Sequence, residues 1–211
     1  MIRLLLVATE ADDLREQALP VARHLIAQGW IVDGMARNAR ECDACVSGFS
    51  EVWNAPWSEF RLNPMNLVRA RQVADLVIRK EFDLVHVRTP RAGFLTRLAL
   101  RNMRPMAFPR VVYTASGRLS SHAERLAAGW TDHLVTATSE DLRDARQLEL
   151  VANDRIHFIP KLAANVFANR RAAASLETLY RRALNLHVPV SKPATIHQPL
   201  FRAVRHAVAH P

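Results

Sequence analysis

Two cysteines and six glycines in 211 residues set the first limits on this protein. Cys42 and Cys45 form a lone Cys-x-x-Cys; two thiols build no disulfide framework, and with no second pair they complete no zinc site. They also lack the aromatic and proline surroundings of a redox helix start, and lie in a stretch that reads as loop. Glycine is absent from the first strand-to-helix turn. That excludes the Gly-x-Gly-x-x-Gly fingerprint and with it a nicotinamide or flavin enzyme, so no cofactor is expected. Long apolar runs are missing too, since none reaches the roughly 18 residues that span a bilayer. The run at residues 2–8 is too short for a signal peptide, and Glu10, Asp12 and Asp13 follow at once. It reads as a first strand, in a cytoplasmic protein.

Acid is scarce: 20 acidic residues stand against 29 basic ones, for a net charge of +9. The excess is concentrated at the end. Residues 162–211 hold seven basic side chains (Arg170, Arg171, Arg181, Arg182, Lys192, Arg202, Arg205) and one acid, Glu177, which is +6 of the +9. Such a tail favours anionic surfaces, lipid headgroups or phosphorylated carriers among them, and implies a peripheral position at the inner face of the membrane. No aromatic interleaving or recognition-helix motif accompanies the arginines, so nucleic acid is not an expected partner.

What remains is an ordinary globular composition, 49% hydrophobic and 23% charged, long enough for one domain with a full core. The apolar run at 2–8 predicts a parallel strand buried on both faces. A polar turn, Thr9 to Asp13, then leads into a helix over about 14–28, with Ala18, Leu19, Ala22, Leu25 and Ile26 on one face and Gly29 as its C′ residue. A second strand is predicted over 30–35 and a short one within 52–57, where Trp53 and Trp57 read as edge packing rather than sugar stacking. A basic helix follows over 66–80. Further along, a short helix over 121–128, a strand over 132–137, a helix over 142–150 capped by Ser139, and a last strand over 155–160 complete the pattern. Strands alternating with helices predict an α/β fold, a single Rossmann-like, doubly wound parallel sheet with helices on both faces, over residues 1–160. Residues 161–185 predict a helical extension, its apolar face carrying Leu176, Leu179, Tyr180 and Ala183. Residues 186–211 predict an irregular basic tail with a short helix over 200–208.

The organising stretch is 81–117. Leu84-Val85-His86-Val87 is a short apolar strand ending at Arg88-Thr89-Pro90, and a helix over 91–100 follows. A second strand over 110–113 ends at Ala115-Ser116-Gly117. In open α/β sheets ligands bind at such carboxyl strand ends. His86 lies mid-strand and reads as a core histidine. Gly117 is as well explained by turn geometry as by function.

Asp83-Leu84-Val85-His86-Val87-Arg88-Thr89-Pro90 and Tyr113-Thr114-Ala115-Ser116-Gly117-Arg118 resemble the Asp-Val-Val-His-x-His-Thr-Pro and Tyr-Thr-x-His-Gly-Phe segments of family 4 glycosyltransferases, two-domain enzymes of the GT-B type. Leu6-Val7-Ala8-Thr9, Leu19-Pro20 with Gly29, Asp132-His133-Leu134-Val135-Thr136 with Glu140-Asp141, and Ile156-His157-Phe158-Ile159-Pro160 match in the same order. The resemblance covers about residues 1–160 and implies the amino-terminal, acceptor-side domain. The implied reaction is transfer of a sugar from a nucleotide donor to a lipid-linked or saccharide acceptor. The implied substrate-binding residues are Thr9, Glu10, Asp12, Arg88, Thr89, Ser116 and Gly117. Two positions depart from the family: Arg88 and Ser116 stand where it has histidines, and a serine hydroxyl cannot replace imidazole as an acid or base at neutral pH. No donor-binding domain is expected after Pro160, so the resemblance implies a protein inactive alone that works with a donor-domain partner. Leu176-Glu177-Thr178-Leu179-Tyr180-Arg181-Arg182 is similar to the helix that returns to the first domain in such enzymes. The alternatives are a non-catalytic binding or assembly protein and, disfavoured because no catalytic dyad is visible, a small-ligand hydrolase or epimerase. An acceptor half built for a partner is expected to expose an apolar patch beside Thr9, Arg88 and Ser116.

Overall fold

Leu4, Leu5, Leu6, Val7 and Ala8 are all fully buried, as an unbroken apolar run must be when helices cover both sides of its sheet. A computed structural model describes residues 1–57, 65–106, 109–115, 119, 121–160 and 166–186. The run belongs to β1 (Arg3–Glu10), an inner strand of a seven-stranded sheet. The other strands are β2 (Ile31–Arg37), β3 (Val52–Asn54), β4 (Leu84–Val87), β5 (Arg110–Ala115), β6 (His133–Thr136) and β7 (Ile156–Phe158). Their order is β3-β2-β1-β4-β5-β6-β7 and every pairing is parallel. From β1 the chain winds outward through β2 and β3, then restarts on the other side with β4. The β1/β4 boundary is therefore the topological switch point.

The helices are α1 (Ala11–Asp13), α2 (Leu19–Ala27), α3 (Asp43–Gly48), α4 (Met65–Arg79), α5 (Pro90–Leu100), α6 (His122–Ala128), α7 (Ser139–Gln147) and α8 (Val166–Ala183). Leu4, Leu6, Val32, Leu84 and Val112 face one core with α2, α3 and α8. Leu5, Val7, Met35, Val85, Val111 and Tyr113 face the other with α4, α5 and α7. This is the expected doubly wound sheet. The helical extension is α8, and Leu176, Leu179, Tyr180 and Ala183 are buried as their spacing required. Burying the three large side chains contributes roughly 4.5–9 kcal/mol gross, at about 1.5–3 kcal/mol each. The predicted helix over 200–208 lies outside the described residues.

Local differences from expectation have identifiable causes. No polar turn follows β1; the strand runs to Glu10 and α1 starts at once. The single helix expected over 14–28 is interrupted by a π-helical turn, Leu14–Ala18, in which the Leu19 amide bonds Leu14 O. Pro20 supplies the reason, since it has no N–H to give Glu16 O and its ring would crowd that carbonyl. Gly29 does end α2 with a positive φ of 81°. Cys42 and Cys45 are not in a loop: Cys42 is the N-cap of α3 and Cys45 lies within it. The N-cap of α7 is Thr138, not Ser139, and its hydroxyl accepts from the Asp141 amide at 3.0 Å.

Candidate functional site

The carboxyl ends of β4, β5, β6 and β7 open into a cleft of about 280 Å³, closed on one side by Ala172 and Leu176 of α8. Arg88, Thr89 and Thr114 line the strand side, and Asp13, Gln17, Thr138 and Asp141 line the helix side. The Val87↔Tyr113 register sets Arg88 beside Thr114. Thr9 closes the neighbouring corner: the pairing of β1 with β2 shifts between Val7 and Glu10, and the Thr9 hydroxyl lies 2.6 Å from that of Thr89. This bond takes the Thr89 side chain away from capping α5, whose amino terminus starts with Pro90 instead.

Beneath the cleft a buried polar chain joins sheet and helix. His86 Nδ1 lies 2.5 Å from the Tyr180 hydroxyl and Nε2 lies 2.7 Å from Thr114 Oγ1. Burial first, and the Arg88 charge second, hold the His86 imidazole well below its ordinary range, so it is neutral. With both nitrogens bonded, His86 is a core residue that fixes β4 to β5 and α8. Burial pushes the Tyr180 phenol above its ordinary value. Burial also disfavours charge on Arg88, yet a guanidinium starts so high that it stays cationic. Arg88 Nε and Nη1 are shielded from solvent and have no hydrogen-bond partner among the described residues.

On the opposite face Arg97 is 1% exposed and paired with Glu124 at 2.7 Å. Its guanidinium carbon lies 3.9 Å from the Tyr113 ring centroid, and the Tyr113 hydroxyl donates to Glu124 Oε1 at 3.1 Å. This cluster ties strand β5 to helices α5 and α6.

The structure thus brings together Arg88, Thr89 and, through its hydroxyl bond, Thr9. Glu10 and Asp12 lie in a separate cleft shared with Arg37, Glu41 and Cys42, where Glu10 pairs with Arg37 at 2.9 Å and exposed Asp12 with Arg15 at 3.1 Å. Ser116 and Gly117 lie outside the described residues. Sequence reasoning missed Asp13, Gln17, Thr114, Thr138 and Asp141, although the strand-end rule would have pointed to Thr114 and Thr138. Trp57 is buried, and Trp53 donates from Nε1 to Asp33 at 3.3 Å with Lys80 over its ring, so both are packing residues. Burial, with the Cys42 side chain second, pushes the Cys45 thiol up to about 12, which leaves no reactive thiolate. Among the described residues no group of three or more His, Cys, Asp or Glu side chains is placed to hold a metal, and no helix is long and apolar enough to cross a membrane.

A parallel sheet wound in this order, with its cleft at the carboxyl strand ends, narrows the family, and the profile of glycosyltransferase family 4 matches residues 17–161. The chain belongs to glycosyltransferase family 4. It is 28% identical over 159 residues to EpsD of Bacillus subtilis (strain 168), named as a glycosyltransferase; the match takes in 70% of this chain and 40% of EpsD. The chain therefore spans less than half the length of that relative. Among solved structures, sucrose-phosphate synthase from Thermosynechococcus elongatus superposes with a TM-score of 0.59 at 13% identity, over 85% of this chain and 98% of that one. UDP-GlcNAc 2-epimerase from Methanocaldococcus jannaschii gives 0.57 at 12% identity, over 88% and 52%. MurG from Acinetobacter baumannii gives 0.51 at 14%, over 65% and 41%. At such identities these likenesses concern the fold alone.

Proposed function

We propose that this family 4 domain is the acceptor-side half of a GT-B glycosyltransferase in polysaccharide or glycolipid assembly, with a partner supplying the donor-binding half. In sugar transfer the bond from the anomeric carbon to the nucleotide diphosphate breaks and a bond to an acceptor hydroxyl forms. The part this chain would play is to hold the acceptor. The observation that carries the reading is the cleft itself, in which a cation and several hydroxyl groups converge at the strand ends of a family 4 sheet. His86 is committed to the core, so the domain contributes binding rather than an imidazole base. The basic residues 162–211 support a place beside an anionic membrane surface.

The test is purification of the tagged chain from its own cells, from membrane and soluble fractions, with mass spectrometry of what accompanies it. A co-purifying protein with a nucleotide-sugar-binding domain, and release of nucleoside diphosphate from a nucleotide sugar only when both are present, is the expected result. Recovery alone or as a homo-oligomer, with no such release, overturns it. A second reading, a non-catalytic binding or assembly protein, is favoured by one observation: among the described residues lining the cleft, none is an exposed large apolar side chain. Among the described residues no large exposed apolar side chain marks the patch expected beside Thr9, Arg88 and Ser116, and Ser116 itself lies outside them.

A further inference from the structure

We propose that the cleft binds a monosaccharide bearing a phosphate, with the phosphate on Arg88 and the sugar hydroxyls on the side lined by Asp13, Gln17, Thr138 and Asp141. This rests on the carbohydrate reading of the site above and names its ligand class. Fully buried Arg97 and half-buried Arg88 contrast in their surroundings. Arg97 has a carboxylate at 2.7 Å, a hydroxyl at 3.3 Å and a backbone carbonyl at 2.9 Å. Arg88 has no ion pair among the described residues, and two of its nitrogens are shielded without a partner. The groups beneath it, His86 and Tyr180, are bonded to each other and neutral, so neither provides a counter-charge. A cation on a cleft wall with no carboxylate paired to it is a site for an anion, and a guanidinium matches phosphate geometry.

The far side of the cleft excludes a bare anion as the whole ligand. Asp13 and Asp141 would repel it, whereas carboxylates accept hydrogen bonds from sugar hydroxyls, as does the amide oxygen of Gln17; the Thr114 and Thr138 hydroxyls are already bonded to His86 and Asp141. The ligand must be anionic at one end and rich in hydroxyls at the other. A volume of about 280 Å³ sits at the small end of ligand clefts, which suits one sugar ring with its phosphate rather than an oligosaccharide. A free sugar phosphate and the sugar-phosphate head of a larger carrier share this chemistry.

The test is a calorimetric or NMR titration of the 211-residue chain with glucose 1-phosphate, glucose 6-phosphate, methyl-capped glucose 1-phosphate, inorganic phosphate and glucose. Saturable binding of a hexose phosphate, at least about tenfold tighter than inorganic phosphate or glucose, is expected. Preference for the methyl-capped diester points to a carrier-borne headgroup, and preference for a monoester to a free sugar phosphate; either supports the assignment. Arg88→Gln should weaken binding by about tenfold or more without lowering the melting temperature, because neutralising an uncompensated cation removes a burial cost. Arg88→Lys should keep part of the affinity, and Arg23→Gln, on the exposed side of α2, all of it. Absence of saturable binding, equal affinity for inorganic phosphate, or unchanged binding by Arg88→Gln overturns the assignment. The titration needs neither partner nor sugar transfer, so its failure and that of the split-enzyme reading are separate results.

Discussion

Replacing Tyr180 by phenylalanine removes one oxygen atom and tests what holds α8 over the cleft. The Tyr180 side chain is fully buried and its hydroxyl lies 2.5 Å from His86 Nδ1, while His86 is itself fully buried. The phenyl ring would still fill the space among Trp30, Leu176 and the sheet, so the loss is confined to the hydrogen bond and to the orphaned ring nitrogen. A buried polar atom left without a partner costs about 1–3 kcal/mol. With a urea slope near 3 kcal/mol/M for a chain of this size, the midpoint should fall by about 0.3–1 M. Equilibrium unfolding followed by circular dichroism measures it. The His86→Leu background completes a cycle: there the Tyr180 hydroxyl is the group without a partner, so Tyr180→Phe should be neutral or stabilising, and the coupling should exceed about 0.5 kcal/mol. A Tyr180→Phe cost below about 0.3 kcal/mol, or the same cost in both backgrounds, would refute the claim that this bond ties helix to sheet.

Three further outcomes follow from the same packing. Glu124→Leu leaves Arg97 buried without its carboxylate and should cost about 3–5 kcal/mol, whereas adding Arg97→Met should restore most of it; thermal melts of the two variants would refute a matched ion pair if the double variant is the worse. Stability should fall with acid. The ordinary histidine value is 6.5 and His86 is held well below it, so beneath pH 6.5 the unfolded chain takes up a proton that the folded one refuses. The loss is about 1.4 kcal/mol per pH unit for His86. His157, lowered to about 4 by burial and then by His133, acts in the same direction, and urea midpoints at about pH 7.5 and about pH 5.5 read the sum. Gly93→Ala should destabilise by about 1–3 kcal/mol, because a Cβ there would sit 2.6 Å from Tyr113 Cε2, a ring held by Arg97 and Glu124; a melting temperature equal to wild type would contradict this clash.

The sequence by itself determined the layers. Leu4 to Ala8 and Val111 to Tyr113 are apolar in succession, and Leu84 to Val87 is broken only by His86, because both faces of a parallel strand are covered; that periodicity is local information. The face of α8 was legible for the same reason, and Gly29 marked the end of α2 through its backbone freedom. The family motifs pointed to the carboxyl ends of β4 and β5, and Arg88 and Thr89 line the cleft there.

Only the tertiary structure decided which strand ends share a cavity. Thr9, Glu10 and Asp12 are near neighbours in sequence, yet Thr9 bonds Thr89 while Glu10 and Asp12 turn to Arg37 and Arg15. A strand sends alternate side chains to opposite faces, and the irregular pairing after Val7 resets which way they point. Asp141 and Leu176 reach the same cleft from 53 and 88 positions beyond Arg88 because the winding order of the sheet, invisible to local pattern, folds β6, α7 and α8 back beside β4. The isolation of Arg88 is likewise a property of the packed state. In the unfolded chain water satisfies every guanidinium, and only folding determines that Arg97 meets Glu124 while Arg88 meets no carboxylate among the described residues.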